Sequence, residues 1–416
     1  MTSGTARPVE VLPTDRRSFE AAPARRLLYV ATVAGTIEGF LLPLANHFRA
    51  LGWRVDAMAN GIEGSKNSRE SFHQVHEAPW TRSPTDVGSI LRAKSTVLRV
   101  VRSGYDIVHV HTPVAGFVTR MALRDARSRL GVRVIYTAHG FHFHSGGSVI
   151  ANAAFRSLEE MAARWTDELV VINKEDQEAA TRHGMTSPGH LHRLPGIGID
   201  TDHYDRRAVN QSAVVEVRKE LGLATGDQLF VMIAEFTRNK RHDLAVRALA
   251  HLARQDVHLA FAGTGPLERP TEQLAQRLGV GDRVHLLGYR SDVRPLVLAS
   301  IATLLCSERE GLPRAVLESL SLGVLCIGTR IRGTAELLDG DIGLLVPPRD
   351  ANALTRAMAW ALDRPKGARD RGRRGRAHVT QYGIEKVIEM HARLYERALD
   401  RAQAAPGSGA MSHGGG

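Results

Sequence analysis

The residues best suited to chemistry in this chain crowd into one segment, Ser307 to Gly323 (SEREGLPRAVLESLSLG). Glu310 and Glu318 stand eight residues apart, which on a helix is about 80° beyond two full turns, so both carboxylates face broadly one side. Gly311 permits a tight turn before them, and Pro313 suits the first turn of a helix beginning there. The unpaired N–H groups around Gly311, Leu312 and Arg314, with the positive end of that helix, form a seat for an anion. Arg314 adds a full charge. A carboxylate pair flanking an anion seat suits a nucleotide-linked sugar, one carboxylate accepting from sugar hydroxyls and the other from a ribose diol. The same spacing also describes a solvated pair on an ordinary helix, and spacing alone leaves both readings open.

A second cluster lies in IAEFTRNKRHD, Ile233 to Asp243, where a strand-like run passes into a turn carrying Arg238, Lys240 and Arg241. Cations at the end of a strand can clamp a diphosphate and neutralise charge on a leaving group; the alternative is a solvated basic loop. The segments FAGTGPLE and LLGYRSDVRP, the latter carrying Tyr289 and Arg290, place glycine turns where backbone can approach a flat or anionic ligand. In VIYTAHGFHFHSGG, the histidines His139, His142 and His144 follow a strand. No acidic or cysteine partner stands at ligand spacing, so no metal is expected. His139, beside Gly140 at a strand end, is placed to hydrogen-bond a substrate hydroxyl or phosphate. The histidines of IVHVH, His109 and His111, read better as buried structural residues. Near the N-terminus a strand passes through Gly35 into an amphipathic helix without G-x-G-x-x-G, so no dinucleotide is expected.

These residues need a scaffold, and the hydrophobic pattern supplies one. Short, apolar, β-branched runs occur at 27–33, 55–59, 107–111, 133–138, 168–172 and 191–194, then at 229–234, 258–262, 284–287, 302–306, 324–329 and 343–346. Fully buried parallel strands have this character, and the helical stretches between them make βαβ units. The expected fold class is therefore α/β with parallel sheets. The series runs twice, predicting an N-terminal domain over 25–203 and a C-terminal domain over 214–380, with a hinge near 203–213. A flexible leader is expected over 1–24, and a small, polar, disordered tail over 404–416. One amphipathic helix spans 381–403, with Ile384, Val387, Ile388, His391 and Leu394 on one face and the N-terminal domain as a surface for it to pack on. Doubly wound domains bind ligands outside the carboxyl ends of their strands, so two facing domains place one site between them.

Length and composition agree. At 416 residues the chain exceeds the roughly 250–300 at which one core stops growing, and its 43% apolar content suffices for two. Only Cys306 and Cys326 occur, in apolar runs, which points to a reducing, cytoplasmic setting. No signal-peptide apolar region and no membrane-spanning stretch stand out. The net charge of +11 calls for a polyanionic partner: nucleic acid, an anionic membrane or a phosphorylated substrate. Aromatic residues are only 5% and no helix-turn-helix, zinc-finger or RNA-binding signature occurs, so nucleic acid is not expected as a partner. The run 364–376 (RPKGARDRGRRGR) and the segment 87–101 leave peripheral contact with an anionic membrane open.

Together these segments resemble the retaining glycosyltransferases of family 4, which have the GT-B fold of two Rossmann-like domains. The resemblance extends from about 25 to 399 and rests on motifs in family order, among them YDIVHVHTPVAG, VIYTAHGFHFH, INKEDQEAA, LPGIGIDTDHY, AEFTRNKRHD, FAGTGPL, LLGYRSDV and EREGLPRAVLESLSLG. Their wording is most similar to the branch that builds exopolysaccharide, capsule or lipid-linked oligosaccharide, with natural-product sugar transferases also close. The resemblance implies that Lys240, with Arg238 as companion, holds the donor diphosphate. It implies that Glu310 binds the donor sugar, Glu318 the ribose, and the backbone of Gly311 and Leu312 the sugar or phosphate. Tyr289 and Arg290 would contact the base, His139 would lie near the anomeric centre, and Gly35 would let its loop approach donor and acceptor. A UDP-sugar is the implied co-substrate, with no metal or other cofactor. The acceptor is a saccharide, lipid-linked or small-molecule hydroxyl, met in the cytoplasm or at the inner face of the membrane.

The chain departs from the family pattern at three places. Gly35 is flanked by Ala34 and Thr36 rather than by a second glycine. Glu235 stands where other branches carry arginine. Arg332-Gly333-Thr334-Ala335-Glu336 replaces an Arg-Gly-Asn-Arg-Glu expected to face the donor. The expected activity is transfer of a hexosyl or N-acetylhexosaminyl group with retention. The alternatives are a UDP-sugar 2-epimerase of the same fold and a non-catalytic nucleic-acid-binding protein.

Overall fold

In the computed structural model the described residues are 24–80, 87–143 and 147–404. His144, the leader up to residue 23 and the tail from residue 405 lie outside them. Thirteen strands alternate with helices: β1 (Arg26–Val33), β2 (Arg54–Asn60), β3 (Val75–Glu77), β4 (Ile107–His111), β5 (Arg133–Ala138), β6 (Glu168–Val171), β7 (Leu191–Arg193), β8 (Gln228–Ile233), β9 (Val257–Ala262), β10 (Val284–Leu286), β11 (Ala302–Leu305), β12 (Leu325–Thr329) and β13 (Leu344–Val346). The central strands β4, β11 and β12 are buried along their whole length, and β1 and β5 at all but their end residues, as sheets covered on both faces require.

Two all-parallel sheets result, one of seven strands in the order β3-β2-β1-β4-β5-β6-β7 and one of six in the order β10-β9-β8-β11-β12-β13. The short strand β3, at an edge, escapes the hydrophobic pattern because Val75, His76 and Glu77 are only half-buried. In each sheet the order reverses once, between β1 and β4 and between β8 and β11, which are the points where a doubly wound sheet opens a crevice at its carboxyl ends. Each sheet has its own apolar layers, one around Leu28, Val108 and Val134 and the other around Phe230, Leu259 and Ile327.

The chain crosses between the sheets twice, side by side. Ile199 and Gly383 form an isolated parallel bridge, through Ile199 N–H to the Tyr382 carbonyl (2.9 Å) and Ile384 N–H to the Ile199 carbonyl (2.9 Å). After the second crossing, the helix Ile384–Ala404 lies on the first sheet, where Leu394, Tyr395 and Ala398 pack with Leu27, Phe48 and Ile135. The helix Val87–Val101 buries Ala93, Val97, Val100 and Val101 in the first core and exposes Arg92 and Arg99. Much of the 364–376 run is engaged within its own domain: in the helix Pro365–Val379, Arg371 donates to the Gly343 carbonyl (2.8 Å) and Arg376 to the Ser321 carbonyl (2.7 Å).

Candidate active site

Because β8 and β11 are neighbours, the turns that follow them converge. Lys240 arrives from the first turn and Glu310 from the second. The Lys240 ammonium lies 2.5 Å from Glu310 Oε1, which also accepts from the Ser307 hydroxyl at 2.6 Å. Asn239 stitches the turns together, its Nδ2 donating to the Arg309 carbonyl (2.9 Å) while its own carbonyl accepts from Glu308 N–H (2.9 Å). The pair sits on the wall of a cavity of about 400 Å³ that His139, Gly311, Leu312, Arg314 and Glu318 also line, together with Phe40 and Ile172 from the first domain.

Glu318 leaves the helix Arg314–Ser321 one turn from its start and is only 6% exposed. Its Oε1 accepts from the Tyr204 hydroxyl (2.7 Å) and from Arg314 Nε (2.8 Å), so the carboxylate is held at one edge with its other oxygen unused by these two donors. Burial, then the Glu318 charge, push the Tyr204 phenol above its ordinary range, keeping it a proton donor. Arg314 also donates to the Gly39 carbonyl in the first domain (2.7 Å). It therefore spans the cleft.

On the facing wall, His139 follows β5 and packs on Phe40, with ring centroids 5.6 Å apart. Its Nε2 is 3.0 Å from His111 Nδ1, and the two rings stack. Burial, then the nearby His391, pull the pKa of His139 down to about 4, so the ring is neutral near pH 7. His109 is fully buried, with one ring nitrogen 2.6 Å from the Tyr395 hydroxyl and the other 2.7 Å from Thr137 Oγ1. It is a structural residue, whereas His111 reaches the site through His139.

The two domains touch where the cavity closes. A Cβ at Gly311 would lie 1.9 Å from the His139 carbonyl oxygen, and one at Gly333 would lie 1.7 Å from the Gly311 carbonyl, so both approaches require glycine. Arg332, on the helix Arg332–Leu338, has a buried guanidinium that donates to the Glu310 carbonyl (3.1 Å), the Phe141 carbonyl (2.6 Å) and the Asp176 carboxylate. Asp176 in turn accepts from Asn173 Nδ2 (2.7 Å), and Glu336 from the Lys174 N–H (2.8 Å). The segment Arg332 to Glu336, expected to face the donor, instead grips the first domain. Asp176, Tyr204 and Ser307 are residues of this site that the sequence reading did not single out, Arg332 was expected at the donor and not at the domain contact, and His111 was read as structural alone.

Other expected residues fall elsewhere. Arg238 is exposed and lines a separate cavity on the far side of the Lys240 turn, away from the space that Lys240 and Glu310 enclose. Thr237, Arg238, Asn239 and Arg241 all line that far cavity, and of this turn Lys240 lines the one that holds Glu310. Arg241 is tied to Asp243 (2.9 Å) and Glu308 (2.5 Å) in that same far cavity. Tyr289 is 79% exposed and Arg290 pairs with Glu220; neither lines the 400 Å³ cavity. Gly35 lies in the first turn of the helix Ala34–Phe40, where a Cβ would meet nothing within 4 Å.

Comparison with known proteins supplies the family. The family model for glycosyltransferase family 4 matches residues 37–203, and that for glycosyl transferases group 1 matches 215–378. The chain is 32% identical over 380 residues to EpsD of Bacillus subtilis (strain 168), named as a candidate glycosyltransferase, covering 90% of this chain and 97% of that protein. It is 29% identical over 266 residues to the UDP-Gal:alpha-D-GlcNAc-diphosphoundecaprenol alpha-1,3-galactosyltransferase of Escherichia coli, covering 62% and 67%. Among solved structures, HepE of Anabaena in complex with UDP-glucose superposes with a TM-score of 0.75 at 18% identity, over 89% of this chain and 99% of that one. With two parallel Rossmann-like sheets facing one cleft and both halves matched in order, the chain is a GT-B transferase that belongs to glycosyltransferase family 4.

Proposed function

We propose that this enzyme moves a hexosyl or N-acetylhexosaminyl group from a UDP-sugar to a hydroxyl of a lipid-linked saccharide or a natural-product intermediate, with retention at the anomeric carbon and without a metal. The observation that carries this reading is the Lys240–Glu310 pair at 2.5 Å, with Glu318 on the same cavity wall. A donor diphosphate arriving at Lys240 takes over its charge and frees Glu310 to accept from sugar hydroxyls. Glu318, braced by Tyr204 and Arg314, accepts from the ribose diol. The turns at Gly263 and Gly288, joined by a 2.7 Å hydrogen bond, offer backbone to the base beside Tyr289 and Arg290.

Glu310, released from Lys240 and still held by the Ser307 hydroxyl, serves as a sugar ligand, and no carboxylate is assigned as a covalent nucleophile. In the front-face course the anomeric C–O bond to phosphate breaks, and the acceptor oxygen bonds the same face. The departing phosphate oxygen takes the acceptor proton. Lys240 stabilises the charge that develops on that phosphate. Neutral His139 hydrogen-bonds the sugar near the anomeric centre, and closure of the two domains excludes water that would hydrolyse the donor. UDP-glucose in the HepE complex and the UDP-Gal and diphosphoundecaprenol of the Escherichia coli relative's name support the donor and acceptor classes. The setting proposed is the cytoplasm, at the inner membrane face when the acceptor is lipid-linked; no helix among the described residues is long and apolar enough to cross a membrane.

The test is a donor screen by mass spectrometry with lipid-linked and soluble acceptor pools supplied separately, followed by assignment of the product anomer by NMR. Acceptor-dependent transfer from a UDP-sugar with retained configuration is expected. Release of an epimer from UDP-GlcNAc without any acceptor would replace this reading with the 2-epimerase.

A further inference from the structure

The basic turn after β8 serves two spaces. Lys240 faces the donor cavity, while Thr237, Arg238, Asn239 and Arg241 line a larger one of about 690 Å³ on the other side. Four arginines line this second cavity: Arg238, Arg241, Arg309 and Arg349. The carboxylates lining it are Asp243 and Glu308, so its described walls carry an excess of two positive charges. Both carboxylates are already consumed. Arg241 holds Asp243 (2.9 Å) and Glu308 (2.5 Å), and Arg349 grips Glu308 through two nitrogens, each at 2.8 Å. Arg238 and Arg309 are exposed and form no ion pair within 4 Å among the described residues.

The backbone is also unusual at this place. Arg241 (φ 54°) and Arg349 (φ 63°) both adopt the left-handed conformation that non-glycine residues avoid. Both direct their guanidinium groups onto the same Glu308. Two strained arginines locked in place, beside two unengaged ones, leave fixed and adaptable donors around one space. Planar guanidinium forks suit phosphate oxygens, which accept paired N–H donors. Leu267, Pro270 and Leu274 provide an apolar flank.

We propose that this cavity is a second anion site, for a phosphate or diphosphate group, separate from the donor site and divided from it by the Asn239–Arg309 wall. Arg238 and Arg309 are its binding donors, and the Arg241–Glu308–Arg349 lattice is its frame. The inference does not rest on the identity of the donor sugar. The phosphate belongs to a free phosphorylated compound or to a lipid headgroup, which share this chemistry.

Inorganic pyrophosphate titrated calorimetrically into the wild-type enzyme presaturated with UDP tests it. One further equivalent is expected to bind, and Arg238→Ala and Arg309→Ala each weaken it about tenfold, the worth of one charge-assisted contact. Sedimentation with vesicles containing a polyprenyl diphosphate, against phosphatidylcholine vesicles, separates the sources. Retention on the diphosphate vesicles that both variants lose identifies a lipid headgroup, and binding of pyrophosphate alone identifies a soluble ligand; either supports the site. No pyrophosphate binding beyond the UDP site, or equal binding by the variants, overturns it. A loss of UDP affinity in Arg238→Ala, with pyrophosphate unaffected, returns Arg238 to the donor site and also overturns it.

Discussion

Arg332 and Asp176, 156 residues apart in the chain, form a buried ion pair across the cleft, and the same guanidinium holds the carbonyl of Glu310. One side chain thus ties the first domain to the backbone of Glu310, the residue proposed to bind the sugar. Removing one partner of such a buried pair typically costs 3–5 kcal/mol, but here separation of the domains can hydrate the survivor instead. Arg332→Ala is therefore expected to lower kcat more than tenfold and to raise donor hydrolysis relative to transfer, with a smaller effect on thermal stability. Equal losses of transfer and hydrolysis, or a collapse of melting temperature, would show a purely structural role.

Lys240→Ala leaves Glu310 with Ser307 as its remaining close partner and removes the cation proposed to stabilise the departing phosphate. Loss of one preorganised charge of this kind costs about 10²–10³ in kcat. Steady-state kinetics on purified, folded protein check this; ordinary turnover would refute the role.

With Glu318 as the proposed ribose ligand, Glu318→Ala is expected to raise donor KM about tenfold or more with little change in kcat, since such a contact binds ground and transition states alike. The variant also strips Tyr204 and Arg314 of their shared acceptor, so a thermal melt should accompany the kinetics. Glu318→Gln keeps a carbonyl acceptor and should recover part of the affinity.

Gly311→Ala places a methyl group where the His139 carbonyl stands. The clash lies between domains, so opening relieves it. Near-normal melting with loss of transfer is expected, and a melting temperature lowered in step with activity would contradict that.

Acid should destabilise the protein through its buried histidines. His391, only 3% exposed, has its pKa pulled down by burial to about 4, against the usual 6.5. Between those values the unfolded chain binds a proton that the folded one does not, so stability falls as pH drops from about 6.5 to 4 and levels below. For His391 alone the full loss is about 3 kcal/mol. His109 and His111, lowered by burial in the same way, add to it. Urea midpoints at pH 7.5, 6, 5 and 4.5 measure the slope, and His391→Phe should flatten it.

Periodicity and composition expose most of this fold, because parallel strands buried on both faces must be continuously apolar. Strand β3 leaves no such trace: its Val75-His76-Glu77 sits half-covered at an edge. In the site, Glu310, Glu318, Lys240 and His139 are readable since each follows a strand or opens a helix in a local motif. Asp176, Tyr204 and the domain-gripping role of Arg332 are not, because they exist only when segments 114 to 156 residues apart meet. Arg238 shows the limit from the other side. Composition marks a basic turn but cannot say which of its residues point to which face.

The last helix has a consequence for biosynthesis. Tyr395 hydrogen-bonds His109 and lies against Phe48, and Leu394 and Ala398 fill the same layer. The earlier-made domain therefore emerges from the ribosome with an apolar face that its own helix does not cover until Ile384–Ala404 has been made. Its completion must wait for that helix, although its sheet is whole some two hundred residues sooner, a lag of about 10–40 s at 5–20 residues per second. During that interval the unfinished face is a target for chaperones, and truncation within Ile384–Ala404 would damage the half of the enzyme that was made first.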